Sequence, residues 1–577
     1  MAPTDAFAEA REQFAAWKNR YPENPFEADR HLDVVNRRYL EGNRLDALRE
    51  LGSEFGGRAR SLAAAIELYE SRPPQLDKYD GAGNPIEAVR FADGYHDAGR
   101  IVWAAGMLRS ALEPGHSFEQ ANLMYLVSLE GEMGHMCAAT CTTGLIRVLR
   151  RSGSQALQDG YLPPLTELDY DRAARGAQYL TEVQGGSDVG AIASQVIPAG
   201  DGTYRINGEK WFCSVADADL FLLLARPADA DAGTAGLGCF LVPRAVNGTP
   251  NGFSIRRLKN KLGTTSMASA EIDFTDSVAY LVGGIDDGFK IMVTGMLNSS
   301  RWLNAIGNVG IMRRAYVEAA NYAAVRTAFG QRIGDFPLVR SQLATIKAEW
   351  LAALHSTWAL TQLDEAVDLA SAGVSVPEAD VGFHRYLVNA NKLGCALAAT
   401  TAVRRAIEVL GGNGTIEDFS VLPRLLRDAV VYEQWEGTHN VLTAQVLRDM
   451  GKLGLAGIVI DLTAVLLKGI GDDDLALVGG RAEAALEDLA GGISRSLEDP
   501  GFGALHFRSQ LERLLRTHQV ALLLDAAVGE NDSGLASELV AAATLLTGGH
   551  LDPGYRPEDD PRHVRTVDKL LGNDLAV

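Results

Sequence analysis

Apolar residues recur at helical spacing through the N-terminal part of the chain, as at Leu48, Leu51 and Phe55 and again at Leu62, Ile66 and Leu68, with no strand-like alternation. Between Gly176 and Gly283 the period changes. Short runs rich in Val, Ile, Phe and Tyr are separated there by turn signals at Gly200-Asp-Gly-Thr203, Asn207-Gly208, 227–236 and Gly248-Thr-Pro-Asn-Gly252. Val196-Ile, Tyr204-Arg-Ile, Trp211-Phe-Cys, Leu220-Phe-Leu-Leu-Leu, Phe240-Leu-Val, Phe253-Ser-Ile and Ala270-Glu-Ile-Asp-Phe are the predicted strands, in a barrel or sandwich. After Gly288 the helical period returns, as in Leu343, Ile346, Trp350, Leu354 and Trp358 and then Leu387, Leu393 and Leu397. Helices this long and apolar, interrupted at Gly411-Gly412, predict a four-helix bundle. Leu511, Leu514, Leu515, Val520 and Leu523 continue the pattern in a further helical region. The expected fold class is α+β multidomain, with an N-terminal α-helical domain (1–175), a middle β domain (176–285), a helical bundle (286–450) and an additional C-terminal helical region (451–577).

The 577 residues suffice for several cores, and 47% hydrophobic with 22% charged residues excludes disordered and collagen-like classes. Lys+Arg 54 against Asp+Glu 74 gives a net charge of −20, which disfavours a polyanion such as nucleic acid as partner. Residues 451–577 carry 11 Lys/Arg and 20 Asp/Glu, so the tail is no exception. Five scattered cysteines, Cys137, Cys141, Cys213, Cys239 and Cys395, read as reduced thiols. The start of the chain lacks a basic segment followed by an apolar run, and the apolar stretch 455–467 is short and interrupted by Asp461. A cytoplasmic protein without integral membrane association is expected. His135, Cys137 and Cys141 resemble a metal cluster only superficially, because no fourth ligand is in sight, and packing in a helix pair is the expected role. No metal is expected.

Thr181-Glu-Val-Gln-Gly-Gly-Ser-Asp188 opens the β region and Tyr432-Glu-Gln-Trp-Glu-Gly-Thr438 closes the bundle. With helices, β domain and bundle in that order, the chain resembles the acyl-CoA dehydrogenase family of flavoproteins over about residues 100 to 450. It is most similar to the AidB-type branch at Lys210-Trp-Phe-Cys-Ser, Phe240-Leu-Val-Pro-Arg, Leu258-Lys-Asn-Lys-Leu-Gly, Ala328-Phe-Gly and Trp435-Glu-Gly-Thr. The implied activity is α,β-dehydrogenation of a medium- or long-chain acyl-CoA in fatty acid metabolism. That reaction removes a weakly acidic α-proton while the β-hydrogen leaves as hydride, so a base and a hydride acceptor are needed. No side chain accepts a hydride, and the family uses FAD.

The resemblance assigns the base to Glu436, whose carboxylate suits the task if burial raises its pKa. An isolated Glu would otherwise be read as a solvated helix face. Glu433, the neighbouring carboxylate, is expected to be exposed or ion-paired, for example with Arg427. Tyr179, Leu180 and Thr181 are implied to run along the flavin, with Gly186 allowing close backbone approach and Ser187 offering a hydroxyl to phosphate or pantetheine. Phe212, where the family commonly has Trp, and Ser214 match its ring-edge positions, while Cys213 between them is expected in the core. Arg326 and Phe329 match diphosphate and adenine contacts, with Gln342 as their partner. Glu408, in place of a common Gln, and Gly411-Gly412 match a turn that contacts FAD of the neighbouring subunit and so imply a homodimer or homotetramer. Thr438 and Asn440 complete the flavin shell, and His439 reads as packing or surface. Asn298, in place of a common acidic residue, Arg301 and Trp435 fall on the substrate side, although Arg301 alone would read as an ion pair. The implied electron acceptor is an electron-transfer flavoprotein. Two other readings stand beside dehydrogenation: an acyl-CoA-sequestering or DNA-associated flavoprotein with little turnover, and an oxidase.

Overall fold

The computed structural model describes residues 3–468, 470, 473–552 and 554–576. The chain forms two compact units, one of residues 60–303 and one that joins residues 1–59 to 304–577. The N-terminal segment expected over 1–175 is therefore divided between them.

In the unit of residues 60–303, helices Ser117–Leu129 and Met133–Ser152 are almost wholly buried. His135 belongs to that packing: its Nε2 meets the Tyr95 carbonyl at 2.8 Å, its ring stacks on Tyr95, and burial pushes its pKa down to about 4. Among the described residues no group of His, Cys, Asp and Glu could hold a metal ion. A hairpin of Gln75–Tyr79 and Pro85–Arg90 stands where only helix was expected. Its strands are short and mostly polar, and Asp80 closes the turn by accepting from the amides of Ala82 and Asn84 at 2.8 Å each.

The β domain is a seven-stranded sheet in the order Phe253–Leu258, Ser269–Leu281, Tyr204–Ser214, Gln195–Pro198, Leu220–Pro227 and Gly176–Tyr179, with Gly238–Pro243 pairing both Ser269–Leu281 and Leu220–Pro227. Leu220–Ala225 and Gly238–Pro243 are buried on both faces, which explains their unbroken apolar runs. Asn207-Gly208, expected to be a turn, lies inside the single strand Tyr204–Ser214. The partner strand bulges there between Phe274 and Ser277, Asn207 Oδ1 accepts from the Asp276 amide at 2.9 Å, and a Cβ on Gly208 would come within 2.8 Å of the Ser194 Cα.

The other unit is helical. Helix Asn298–Val325 from Asn304 onward, Pro337–Ala370, Glu378–Leu410 and Leu422–Gln434 form the bundle, followed by His439–Lys452. Pro500–Gly529, Ser533–Leu546 and further helices complete it. The first helices join this unit through specific polar ties. The Trp17 indole donates to the Glu318 carbonyl at 3.1 Å, and the Trp358 indole donates to Asn36 Oδ1 at 2.7 Å. Glu538 lies at the centre of a buried network, 2.9 Å from His31 Nε2 and 2.6 Å from Lys347 Nζ. Lys347 also donates to Asp574 at 2.7 Å, and the Tyr316 hydroxyl reaches the same oxygen at 2.5 Å. Burial alone would raise the Glu538 pKa, but the His31 hydrogen bond and the Lys347 charge hold it at about 2. An ionised carboxylate only accepts, so the proton of His31 sits on Nε2.

Glu538→Ala leaves His31 without its acceptor and Lys347 with Asp574 alone, and is expected to cost about 1–3 kcal/mol in urea unfolding. Because the folded-state pKa lies below the ordinary value, the contribution of this carboxylate is present above about pH 4.5 and is lost as the pH falls towards 2. The gap between wild type and variant should close over that window.

Candidate active site

Within residues 60–303, the Thr181–Ser194 loop is tied down from beneath. Glu182 is buried and accepts from the amides of Ala193 and Ser194 at 2.7 and 3.1 Å, from the Ser194 hydroxyl at 2.5 Å and from Lys210 Nζ at 2.7 Å. Lys210, buried on strand Tyr204–Ser214, donates its next proton to the Leu224 carbonyl at 3.1 Å. Burial pushes the Glu182 pKa up, but the ammonium and four further donors outweigh it and hold the carboxyl at about 2. The Thr181 carbonyl accepts from the Trp211 amide at 2.8 Å, and a Cβ on Gly186 would stand 2.5 Å from Thr181 Oγ1, so only glycine lets the loop fold over that hydroxyl.

Strand parity decides what this surface shows. A bulge opposite Glu271 sets two residues of Tyr204–Ser214 against one, so Lys210 and Cys213 both point inward while Trp211 and Phe212 both point out. Phe212 is 56% exposed, an aromatic face presented to solvent, with half-buried Ser214 beyond it and Cys213 in the core. Lys259 Nζ sits 3.5 Å from the Trp211 ring centroid and 4.8 Å from that of Phe212, held by Glu271 at 2.8 Å. Tyr179 does not join this surface. Its side chain is fully buried, packs on Phe221 and donates its hydroxyl proton to the Val215 carbonyl at 3.3 Å, because strand alternation turns it inward. Only its backbone can line a ligand. Leu180 and Thr181 are half-buried, and Ser187 is exposed. Of the residues expected on the substrate side, Asn298 is half-buried and Arg301 buried, just after a π-helical segment, Met292–Leu297. Gln178 Nε2 donates to Ser300 Oγ at 3.3 Å, and Arg147 donates to Ser299 Oγ at 3.2 Å.

In the other unit, Glu436 follows helix Leu422–Gln434 in a left-handed turn, with φ of 59° at Glu436 and 101° at Gly437. A left-handed non-glycine residue costs about 1–2 kcal/mol, so the surroundings must enforce it. They do so through Lys392. This lysine is fully buried on helix Glu378–Leu410 and donates to the carbonyls of Glu433 at 2.8 Å and Gly437 at 3.0 Å, one on each side of Glu436. Asn304 Nδ2 adds a bond to the Tyr432 carbonyl at 3.3 Å, and Trp435 packs against the Tyr432 ring. Sequence reasoning passed over Lys392 and Asn304; the signal was a lysine and an asparagine inside otherwise apolar helical runs.

Glu433 is neither exposed nor paired with Arg427, which bonds Glu417 instead. It is half-buried, accepting from Thr400 Oγ1 at 2.5 Å and lying 3.2 Å from His439 Nε2, because the last helical turn points it at helix Glu378–Leu410. Burial raises its pKa, but the hydrogen bonds of His439 and Thr400 outweigh this and leave it low. His439 is thus a buried partner of Glu433. Thr438 is the N-cap of His439–Lys452, yet its hydroxyl makes no capping bond. Asn440 is exposed and accepts from Arg508 at 3.2 Å.

Arg326 precedes a two-residue hairpin turn in which Phe329 (φ 52°) and Gly330 (φ 83°) are both left-handed. Phe329 is 99% exposed and strained, and its ring meets that of Phe336 edge-on at 6.3 Å. Arg326 lies over the Phe14 ring and donates to Gln13 at 3.3 Å, and among the described residues it forms no ion pair. Gln342 is half-buried near the start of Pro337–Ala370. Glu408 is exposed, and a Cβ added at Gly411 or Gly412 would meet nothing within 4 Å, which leaves an open backbone surface. Within this unit the Phe329 face, a guanidinium without an ion pair among the described residues and bare glycine backbone have the chemistry a dinucleotide needs; within residues 60–303 the Phe212 face and its neighbouring hydroxyls have that of a flavin ring site.

The acyl-CoA dehydrogenase C-terminal domain family matches residues 286–451, the middle domain family matches 177–277, and the N-terminal domain family of the adaptive response protein AidB matches 17–172. Acyl-CoA dehydrogenase family member 11 of Caenorhabditis elegans is 31% identical over 441 residues, which are 74% of this chain and 70% of that protein. The chain belongs to the acyl-CoA dehydrogenase family. AidB of Escherichia coli K12 is also 31% identical, over 70% of this chain and 74% of its own length. The crystal structure of C. elegans ACDH-11 in complex with C11-CoA superposes with a TM-score of 0.83 at 28% identity, covering 92% of this chain and 91% of that one. The family is one of FAD-dependent oxidoreductases. Among the described residues no single helix is long and apolar enough to cross a membrane.

Two variants probe the supports of the site. Lys392→Met is expected to lower stability by about 1–3 kcal/mol for each carbonyl it leaves without a donor, read by urea unfolding. Lys210→Met leaves Glu182 without its buried cation. It should cost about 3–5 kcal/mol at pH 7 and increase limited proteolysis within 181–194. Since Glu182 is held at about 2, this deficit should shrink as the pH falls below about 4.5.

Proposed function

We propose that this protein oxidises a medium- or long-chain acyl-CoA thioester between its α and β carbons, with Glu436 as the base. The observation that carries the reading is the Glu436 turn: a carboxylate held in left-handed backbone by a buried ammonium that grips the chain on either side of it. Such strain is retained where one side chain must be aimed.

Glu436 receives the α-proton as the Cα–H bond breaks, and that electron pair becomes the new Cα=Cβ bond. The flavin, when bound, supplies the two-electron acceptor for the β-hydrogen. The Phe212 face and Ser214 hold the isoalloxazine end, with Thr181 hydrogen-bonding it. Arg326, Phe329 and Gln342 hold diphosphate and adenine. The Glu408 and Gly411-Gly412 turn serves the dinucleotide of a neighbouring subunit in a homodimer or homotetramer, which gives exposed Phe329 and the bare glycines something to cover them. Ser187, Asn298, Arg301 and Trp435 position the thioester and its pantetheine arm. Glu433 stays ionised and occupied by Thr400 and His439, so it orients the turn rather than taking the proton. The electron acceptor would be an electron-transfer flavoprotein, and the protein would work in the cytoplasm.

Anaerobic mixing with a C4 to C16 acyl-CoA series should bleach the flavin. Glu436→Gln should slow bleaching by about 10²–10⁴-fold while the yellow holoprotein survives, and Glu433→Gln should leave it within a few-fold. A thermal shift with acyl-CoA and no bleaching at any chain length would replace this reading with acyl-CoA sequestration.

A further inference from the structure

Between helices Pro337–Ala370 and Glu378–Leu410 and the C-terminal helix Pro500–Gly529 lies a cavity of about 410 Å³. None of the residues assigned above to flavin or thioester lines it. Ile346, Leu397 and Leu515 give it an apolar wall. Its volume falls in the range of small-molecule sites.

The charged groups around it do not cancel. Glu349 is committed to Arg516, at 2.7 Å, and to His550, at 3.4 Å; burial raises its pKa, but the Arg516 charge and the His550 hydrogen bond bring it to about 2. Arg513 is taken by Asp488 at 2.9 Å and Glu512 by Arg508 at 3.0 Å. Two guanidinium groups keep unspent donors. Arg516 Nη1 is buried with no hydrogen-bond partner, and so is Arg405 Nε, on an arginine that forms no ion pair among the described residues. Buried donors are nearly always satisfied, and a planar guanidinium is suited to a carboxylate. In a chain of net charge −20, two arginines with unmet donors on one apolar cavity are an unusual expense.

We propose that this cavity binds an amphipathic anion, an aliphatic carboxylate whose head group is held by Arg405 and Arg516 and whose chain lies against Ile346, Leu397 and Leu515. The helix of Arg405 also carries Glu408, one turn later, and that of Ile346 carries Gln342, so an occupant would stiffen the same two helices that end at the flavin contacts.

The test is isothermal titration of the full-length holoprotein with decanoate, decanol and ADP. Decanoate should bind at one site per chain that Arg405→Met weakens at least tenfold and Ala398→Trp, which plugs the cavity, abolishes. Flavin content and acyl-CoA bleaching should be unchanged in both variants. Decanol should bind that site at least tenfold more weakly. A decanoate affinity that Arg405→Met leaves unchanged, or equal binding of decanol, overturns the proposal. Displacement of decanoate by ADP with loss of flavin in Arg405→Met also overturns it, because the cavity would then belong to the dinucleotide footprint.

Discussion

The ammonium of Lys392 is the contact on which the Glu436 turn depends. An ammonium loses much hydration when it is fully buried, and here that loss is met by backbone carbonyls placed on both sides of a single carboxylate. Removing the lysine would leave those carbonyls, as well as the left-handed Glu436, without support. The same device recurs at Lys210, which fastens the 181–194 loop to the sheet, and at Lys347, which fastens Ser533–Leu546 and the C-terminal residues to the bundle. Three buried lysines thus each fasten one segment of the chain to another.

Electrostatics in this protein are a matter of placement rather than sum. Its net charge is −20, yet the carboxylates that matter are neutralised in pairs, as at Glu182, Glu349 and Glu538. Arg326 and Arg405, which form no ion pair among the described residues, stand where a small anion could use them. A net charge of −20 suits an enzyme of phosphorylated small molecules better than a binder of nucleic acid.

Much of this was legible in the chain. The helical runs around Trp350 and Leu393, the apolar strands 220–225 and 240–242, and the Gly411-Gly412 break all appear as their periodicity says, because burial on one face or on both writes itself into sequence. Asn207-Gly208 misled because a bulge in the partner strand absorbs what is elsewhere a turn signal. The hairpin 75–90 was invisible because its strands are polar and short. In the site, the motif register located the Glu436 turn, but the partner of Glu433 lies on another helix, and no local spacing relates Thr400 or Lys392 to position 433. The inward turn of Tyr179 follows from strand parity, which a four-residue strand is too short to announce.

The division of the chain also constrains its birth. Residues 1–59 belong with 304–577, so the helices bearing Trp17, His31 and Asn36 leave the ribosome long before Glu318, Trp358 and Glu538 exist to receive them. At a synthesis rate of about 5–20 residues per second, the intervening segment imposes a wait on the order of tens of seconds. Throughout it the apolar faces of those helices have no native cover. A nascent chain of this design must either shield them with a chaperone or park them on the emerging 60–303 unit, and the speed of translation becomes a determinant of yield.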